Sequence, residues 1–403
     1  MEGMRRISVI GLDGRPLPPE ARELLAGAAL VAGGRRHLRE LGLEGGRSVA
    51  LEGDLSGALE RISAERGPVA VLASGDPGFF GIVRLLAGRF GREALRVLPA
   101  ASSAARAFAR ASLPWDDALV VSAHGRDPRR AVNACRAHPK VAVLTSPGFG
   151  PAELARELAG WGRELFVAER LGEPDERCFS GGPEEVAGRR WREPNVVLSL
   201  REGRAVGAKG WASCGLGSPG RWALPEGEFE HRSGMISGPE TRALALARLG
   251  PGPGDLVWDV GAGSGSVAIE CARLGAAAAA VERDPESCGR IRRNAERHGV
   301  CVRVVEGEAP EALRGLPDPD AVFVGGSGGG LREILRLCAA RARRCVVASL
   351  VGLERVVPAA ELLEGCGLEV EAVMLQASRV KGVGRLHRLA PENPVFLVSG
   401  ARP

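Results

Sequence analysis

Residues Trp258 to Glu270 read WDVGAGSGSVAIE. The stretch has the form of a buried strand ending near Asp259, a turn with glycine at 261, 263 and 265, and the first turn of a helix. Glycine lets a main chain bend sharply and come close to a ligand, and nucleotide-type cofactors are held on strand-to-helix turns of this kind. A dinucleotide fingerprint, G-x-G-x-x-G, requires glycine at 266, where Ser266 stands. The pattern is therefore G-x-G-x-G preceded by an acid. A pyrophosphate favours a bare helix N-terminus with no anion beside it. Asp259 instead suits a ligand that carries an ammonium and a sulfonium.

Working outward, Glu282 stands about twenty residues on, at the end of the next apolar run, where a carboxylate can accept both hydroxyls of an adenosine ribose. EGEAPEAL places Glu308 and Ala309 after the third strand, where an adenine edge would lie. DAVFVGGSGGG puts a glycine-rich turn after the fourth, the place where a class I methyltransferase exposes its transferable methyl. Singly, each feature also reads as a tight turn or a solvated strand end. The order Asp259, G-x-G-x-G, Glu282, Glu308/Ala309, Asp320 is far more specific, and it points to S-adenosylmethionine at the C-terminal rim of an open α/β sheet.

The surrounding chain supports an α/β class throughout. In the second half, strands are expected at 256–260, 278–282, 302–306, 321–324, 345–349, 369–375 and 394–398. The result is a Rossmann-like, mostly parallel sheet of seven strands with an antiparallel strand at one edge. In the first half, apolar runs at 7–10, 69–73, 95–98, 119–122, 141–144, 165–168 and 196–200 alternate with amphipathic helices such as AELARELAGWG. Between the halves lies a Gly/Pro-dense stretch without sustained period. The expected division is a first domain over 1–204, a linker over 205–234 and a second domain over 235–403, onto which part of the linker can fold.

Bulk properties narrow the function. The chain has 403 residues, 45% of them hydrophobic, which suits two soluble domains with real cores. No apolar run is long enough to cross a bilayer, and ISVIGLDG near the start is too short for a signal-peptide core, so a cytoplasmic protein with no membrane partner is expected. Nine cysteines lie scattered without a C-x-x-C pair, so reduced thiols and no metal site are expected. The formal charge is +5, and lysine stands only at 140, 209 and 381, so nearly all of the 54 basic residues are arginine. Guanidinium groups pair bidentately with carboxylates. Their even spread, with no basic block, speaks for a polyanionic small molecule and against nucleic acid.

Longer pieces carry a resemblance. MISGPETRALAL, LVWDVGAGSGSVAIE, VERDPESCGRIRRNAERHGV, VVEGEAPEAL and DAVFVGGSGGGLREIL resemble the decarboxylating C-15 methyltransferases of cobalamin (corrin) biosynthesis. ISVIGLDG, AALVAGGRRHL, VLASGDPGFFGI, VLPAASSAARAFARASLPWDDALVVSAHGR and VLTSPGFGPAELARELA resemble the C-5 methyltransferases of that pathway, which are tetrapyrrole methylases of a different fold. Together they are similar to the fused precorrin-6B (precorrin-6Y) C-5,C-15-methyltransferases (decarboxylating). One departure is that many tetrapyrrole methylases open with G-x-G-P-G, whereas this chain has GLDG at 11–14.

The resemblance implies one S-adenosylmethionine per domain. In the second it implies Ser237, Gly261, Ala262, Gly263, Ser264, Gly265, Glu282 and Ala309 as cofactor residues. In the first it implies Gly11, Gly75, Asp76 and Phe79 of the opening and SGDP turns, Ser102 and Ser103, with Thr145 and Ser146 lining the same cleft. Asp76 also reads as a plain turn former. The implied substrate is a corrin precursor with several carboxylate arms, for which Arg379, Lys381 and Arg385 are candidate partners. A homo-oligomer is also expected. The sulfonium already activates the methyl, so no strong nucleophile is needed. Glu308 as proton donor and His124 as orienting group are the weak catalytic candidates. Three other readings stand beside this one. A dinucleotide oxidoreductase conflicts with Ser266. A methyltransferase acting on another substrate, with one domain serving only to bind, conflicts with two intact cofactor turns. An RNA or protein methyltransferase conflicts with VGGSGG after the fourth strand.

Overall fold

The computed structural model describes residues 7–43, 45–53, 55–203, 220–232 and 236–403. The first lobe holds two sheets. β1 (Ile7–Leu12), β2 (Leu30–Gly33), β3 (Ser48–Ala50), β4 (Val69–Ser74) and β5 (Leu95–Leu98) form a parallel sheet in the order β3-β2-β4-β1-β5. β6 (Leu119–Ser122), β7 (Lys140–Leu144), β8 (Arg163–Glu169), β9 (Arg177–Gly181) and β10 (Asn195–Arg201) form the second, ordered β6-β7-β10-β8-β9. Only β6 and β7 pair in parallel there; the other neighbours are antiparallel.

Sequence patterning finds seven of these ten strands. β2, β3 and β9 escape it for physical reasons. β2 is four residues, LVAG, and runs straight into a second glycine, although it is fully buried and hydrogen-bonded on both sides. β3 is three residues and β9 lies at a sheet edge with exposed positions, so neither carries an apolar period.

The second lobe is built on β11 (Leu256–Val260), β12 (Ala277–Glu282), β13 (Arg303–Glu306), β14 (Ala321–Val324), β15 (Cys345–Leu350), β16 (Glu369–Leu375), β17 (Ser378–Val383), β18 (Leu386–Pro391) and β19 (Val395–Ala401). Seven of them form one sheet, β13-β12-β11-β14-β15-β19-β16. β19 is antiparallel to both neighbours. The expected antiparallel strand is therefore present, one place in from the edge that β16 occupies. β17 and β18 make a separate hairpin within the stretch 378–396.

Parallel strands buried on both faces read as continuous apolar runs, and β11 is buried at every position. β12 is a run of four alanines before Val281, a composition with poor strand preference. It is a strand because its small side chains let the helices Ser266–Arg273 and Pro285–Arg297 come down close on one face, where Ala278 and Ala280 pack against Ala268 and Ile291. Trp258 is fully buried on the opposite face, with Arg341 over its ring at 4.8 Å.

Of the expected linker, residues 205–219 and 233–234 lie outside the described residues, Cys214 among them. Residues 220–232 pack onto the second lobe. Leu224 and Phe229 are buried against Ile269 and Ala295, and the Leu224 N–H donates to the buried Glu270 carboxylate at 2.7 Å. Arg242, wholly buried, lies 3.5 Å from that carboxylate and covers the Phe229 ring at 4.8 Å.

The two lobes meet at the base of the seven-stranded sheet, where the parallel strands begin. Arg129 pairs with Asp320, and the same aspartate accepts the Leu256 N–H at 2.8 Å. Asn133 donates to the Gly254 carbonyl at 3.1 Å. Trp161 of the first lobe is buried in the core cluster of the second, with the guanidinium groups of Arg136 and Arg303 on its ring. Asp320, grouped with the cofactor residues on sequence order, thus stands at the opposite end of the sheet from them and joins the lobes. Among the described residues, no helix is long and apolar enough to cross a membrane and no cluster of metal-ligating side chains occurs.

Candidate functional site

The second lobe's cavity opens at the C-terminal ends of β11, β12, β13 and β14 and encloses about 570 Å³. That is the size of a pocket for a ligand of nucleoside dimensions. Its floor is the turn after β11. Gly261 has φ +67, and a β-carbon there would come within 2.2 Å of the Gly326 carbonyl oxygen, so the turns after β11 and β14 touch only because this residue lacks a side chain. Ser237, Gly261, Ala262, Gly263, Ser264, Glu282 and Ala309 line the cavity. Gly265 does not; it supports the wall from behind, against Ile291.

Two carboxylates define the electrostatics. Asp259 is buried at the end of β11 and lines the cavity, and its Oδ2 accepts the Ala268 N–H at 2.9 Å. Burial pushes its carboxyl up to about 7, with the nearby Glu282 charge adding to the effect. Glu282 is tied by main-chain donors: Gly263 N–H at 2.9 Å to Oε2, and Arg283 and Asp284 N–H at 2.9 and 3.0 Å to Oε1. It therefore clips the end of β12 to the glycine turn. Three of its four acceptor positions are used, so one stays available. Glu308 lies exposed at the cavity wall with its carboxylate 3.2 Å from Arg283. Sequence reasoning missed Thr241, Arg283 and Asn393, which also line it. Thr241 and Arg283 lie inside the stretches MISGPETRALAL and VERDPESCGRIRRNAERHGV, but nothing in those stretches singles them out, and the three reach the rim from separate elements.

The first lobe holds a cavity of about 680 Å³ between its two sheets. Gly75, Phe79, Ser103, His124 and Thr145 line it. Phe79 and Phe80 meet edge to face at 5.0 Å and are 37% and 49% exposed, an aromatic pair left open at the mouth. Thr145 donates to Asn195, whose side chain also lines the wall. Gly11, Asp76 and Ser102 are not brought to the wall, and each has a structural duty. A β-carbon on Gly11 would lie 2.3 Å from the Gly75 carbonyl oxygen and 2.6 Å from Ala100 N, so it lets three loops converge. Asp76 accepts the Gly78 N–H at 2.8 Å, closing its own turn. Ser102 caps the helix Ser103–Arg110 by accepting the Ala105 N–H at 3.1 Å. Ser146 is likewise absent from the wall; it pairs through its backbone with Phe149.

The cavity contains a polar cluster that sequence reasoning did not single out, although its signal, RRHL at 35–38, lies inside a motif that did stand out. Arg36, His37, Glu40, Ser74 and Glu173 all line the wall. His37 Nε2 is 2.7 Å from Ser74 Oγ, and Nδ1 is 3.5 Å from Glu40. Burial, and then the Arg36 charge, hold the His37 imidazole below its ordinary value.

The candidate carboxylate-binding residues lie on the hairpin. Arg379 is already engaged, donating through both terminal nitrogens to Glu240 at 2.7 Å and through Nε to Glu392 at 2.8 Å, and so clips the hairpin to the helix Pro239–Leu249. Lys381 and Arg385 are exposed beyond it and line no wall of the cavity.

Two family models match the chain in sequence, one described as a precorrin methyltransferase domain over residues 228–402 and one as tetrapyrrole (corrin/porphyrin) methylases over residues 10–187. The Sinorhizobium protein named precorrin-6Y C(5,15)-methyltransferase [decarboxylating] is 42% identical over 79% of this chain and 77% of its own. A Methanothermobacter thermautotrophicus protein named probable cobalt-precorrin-6B C(15)-methyltransferase (decarboxylating) is 36% identical over 43% of this chain and 94% of its own. Salmonella typhimurium cobalt-precorrin-7 C(5)-methyltransferase is 36% identical over 42% of this chain and 88% of its own. With two lobes matched in order and a relative aligned through both, the chain belongs to the precorrin-6Y C(5,15)-methyltransferase (decarboxylating) family.

Proposed function

We propose that this chain is an S-adenosylmethionine-dependent bifunctional methyltransferase of cobalamin biosynthesis. It methylates precorrin-6B or its cobalt form at C-5 in the first lobe and at C-15 in the second, and removes an acetate arm as carbon dioxide to give the precorrin-8 level. The observation that carries the reading is the pairing of two separate cavities, one per lobe, in a chain aligned along most of a two-activity relative.

The residues present fit the cofactor. Asp259 is a buried carboxylate that faces the second cavity, and its burial is relieved when a cationic ligand neutralises it. Glu282 retains acceptor capacity for ribose hydroxyls, Ser237 and Ala309 flank the cavity, and Gly261 and Gly263 keep main chain instead of side chains against it. In the first lobe, Gly75, Phe79 and Ser103 play the corresponding part, while Gly11, Asp76 and Ser102 shape the loops behind them. When bound, the cofactor supplies a methyl already activated by its sulfonium. The chain's own contribution is to orient the macrocycle carbon and to keep water from the reacting face. Lys381 and Arg385, exposed and without an ion pair among the described residues, are available to hold carboxylate arms; Arg379 stiffens the hairpin that carries them. Glu308 is the proton donor we assign to the decarboxylating lobe, and His124 orients substrate in the other.

Calorimetry tests the count. Two equivalents of S-adenosylmethionine or of its demethylated product should bind per chain, and Glu282→Ala should weaken one of them at least tenfold. A single equivalent in the unaltered protein would sink the two-site reading.

A further inference from the structure

The first lobe's cavity contains a buried histidine between a hydroxyl and a carboxylate, and none of the roles assigned so far to this lobe's methyl transfer uses it. His37 is 7% exposed, in the helix Arg35–Glu40 that succeeds β2. Its Nε2 meets Ser74 Oγ at 2.7 Å, at the end of β4, where the serine opens into the cavity. Its Nδ1 faces Glu40 Oε2 at 3.5 Å. At that distance no hydrogen bond forms, but the negative charge of the carboxylate beside Nδ1 favours the proton of a neutral imidazole on that nitrogen, and Nε2 is left with its lone pair toward the serine.

We propose that His37 and Ser74 are the proton-accepting pair of the first lobe's reaction, with Glu40 as the positioning residue that sets the imidazole tautomer. This rests on the methyltransferase reading of the chain. A ring carbon of the macrocycle uses the π pair of a C=C bond conjugated to a ring N–H to form the new C–CH₃ bond. The S–CH₃ bond breaks with its pair returning to sulfur, which becomes a neutral thioether. The ring, now cationic, loses its N–H proton, whose bonding pair restores the neutral imine. That proton passes to Nε2 of His37, directly or through the Ser74 hydroxyl, which gives one proton and takes another. The resulting imidazolium sits beside the Glu40 carboxylate and returns its proton to water.

The surroundings tune this base from several elements. On its own helix, Arg36 lowers the imidazole's basicity and Glu40 raises it. From the loop after β8, Glu173 raises it while holding Arg36 at 2.9 Å and pairing with Arg170. Glu52, after β3, is occupied by Arg35 at 2.9 Å, and Arg106 donates to the Asp13 carbonyl. Burial is the largest influence and keeps His37 neutral at physiological pH, the state a proton acceptor needs.

Nitrogen-15 NMR of histidine-labelled, ligand-free full-length protein should show His37 as the Nδ1–H tautomer, titrating below 6.5. Glu40→Gln removes the carboxylate that favours the imidazolium, so the titration should move to lower pH. In single-turnover C-5 methylation of the precorrin, the acid limb of the rate profile should move with it. His37→Gln should slow C-5 methylation roughly 10²- to 10⁴-fold and abolish the limb, with donor binding to the first cavity kept. Ser74→Ala should slow it while the limb stays. An unchanged rate profile in His37→Gln, or loss of donor binding together with rate, overturns the proposal. An Nε2–H tautomer does the same. If the unaltered protein methylates no precorrin while the NMR titration behaves as expected, the parent reading fails and takes the assigned reaction with it.

Discussion

Asp259 shows what burial does to a single carboxylate when it faces a cavity. Its carboxyl, pushed up to about 7 by burial, takes up and gives off its proton in the neutral range. A cationic ligand stabilises the ionised form, so its binding expels a proton. Donor affinity at the second lobe should therefore be level above pH 7 and weaken as pH falls below it, approaching tenfold per pH unit where only the ionised form binds. Calorimetry from pH 5.5 to 8.5 reads this directly, and Asp259→Asn should bind weakly with no slope. An affinity that does not vary across that range would remove Asp259 from the cofactor's contacts. Glu282→Ala tests a different duty. It frees three main-chain N–H groups that now meet a carboxylate. Loss of such charged hydrogen bonds, at about 1.5–3 kcal/mol each, should weaken second-lobe binding at least tenfold and leave the first lobe's binding intact. Both carboxylates were legible in the sequence from spacing alone. His37 was not, because its partners Glu40, Ser74 and Glu173 come from three places along the chain, and only the fold brings them to one wall.

At the scale of elements, the turns between strands and helices are the most constrained parts. Replacing Gly261 by alanine puts a methyl 2.2 Å from the Gly326 oxygen on a residue with φ +67. The strain of such a backbone position for a non-glycine residue is about 1–3 kcal/mol, and the clash adds to it. Gly261→Ala should lower the second lobe's melting temperature by several degrees and abolish donor binding there, as followed by calorimetry and by circular dichroism. Retained affinity would mean that the turns after β11 and β14 do not form the cofactor's floor. The strands that hold these turns were readable because parallel strands buried on both faces are unbroken apolar runs. β12 was readable despite its alanines because it sits at a fixed interval after the glycine turn. What escaped was short or marginal, namely β2, β3, β9 and the hairpin of β17 and β18. Their pairing is decided by neighbours far off in sequence, and their own residues show no period. The hairpin alternates exposed Val380, Val383, Leu386 and Leu389 with charged residues, which local patterning cannot distinguish from a basic loop.

For the whole molecule, the lobes join at the base of the seven-stranded sheet, and the cavity opens at its other end. That arrangement leaves the rim free to admit a large macrocycle. Trp161 is the buried first-lobe side chain that packs into the second lobe's core cluster. Trp161→Ala should destabilise the protein by about 3–5 kcal/mol and separate its unfolding into two transitions by scanning calorimetry, while each lobe retains donor binding. One cooperative transition of unchanged midpoint would mean the lobes are not coupled there. Two-lobe organisation was visible in the sequence as two runs of α/β pattern around a Gly/Pro-rich seam. The junction was not visible, since Arg129, Trp161 and Asp320 carry no motif and Asp320 read as part of the site. The most direct test of the central claim is mass spectrometry of the product formed from precorrin-6B, or its cobalt form, and methyl-deuterated S-adenosylmethionine. Two labelled methyl groups gained and one carbon dioxide lost is the predicted result. A product with a single methyl, or with every carboxylate retained, would contradict it.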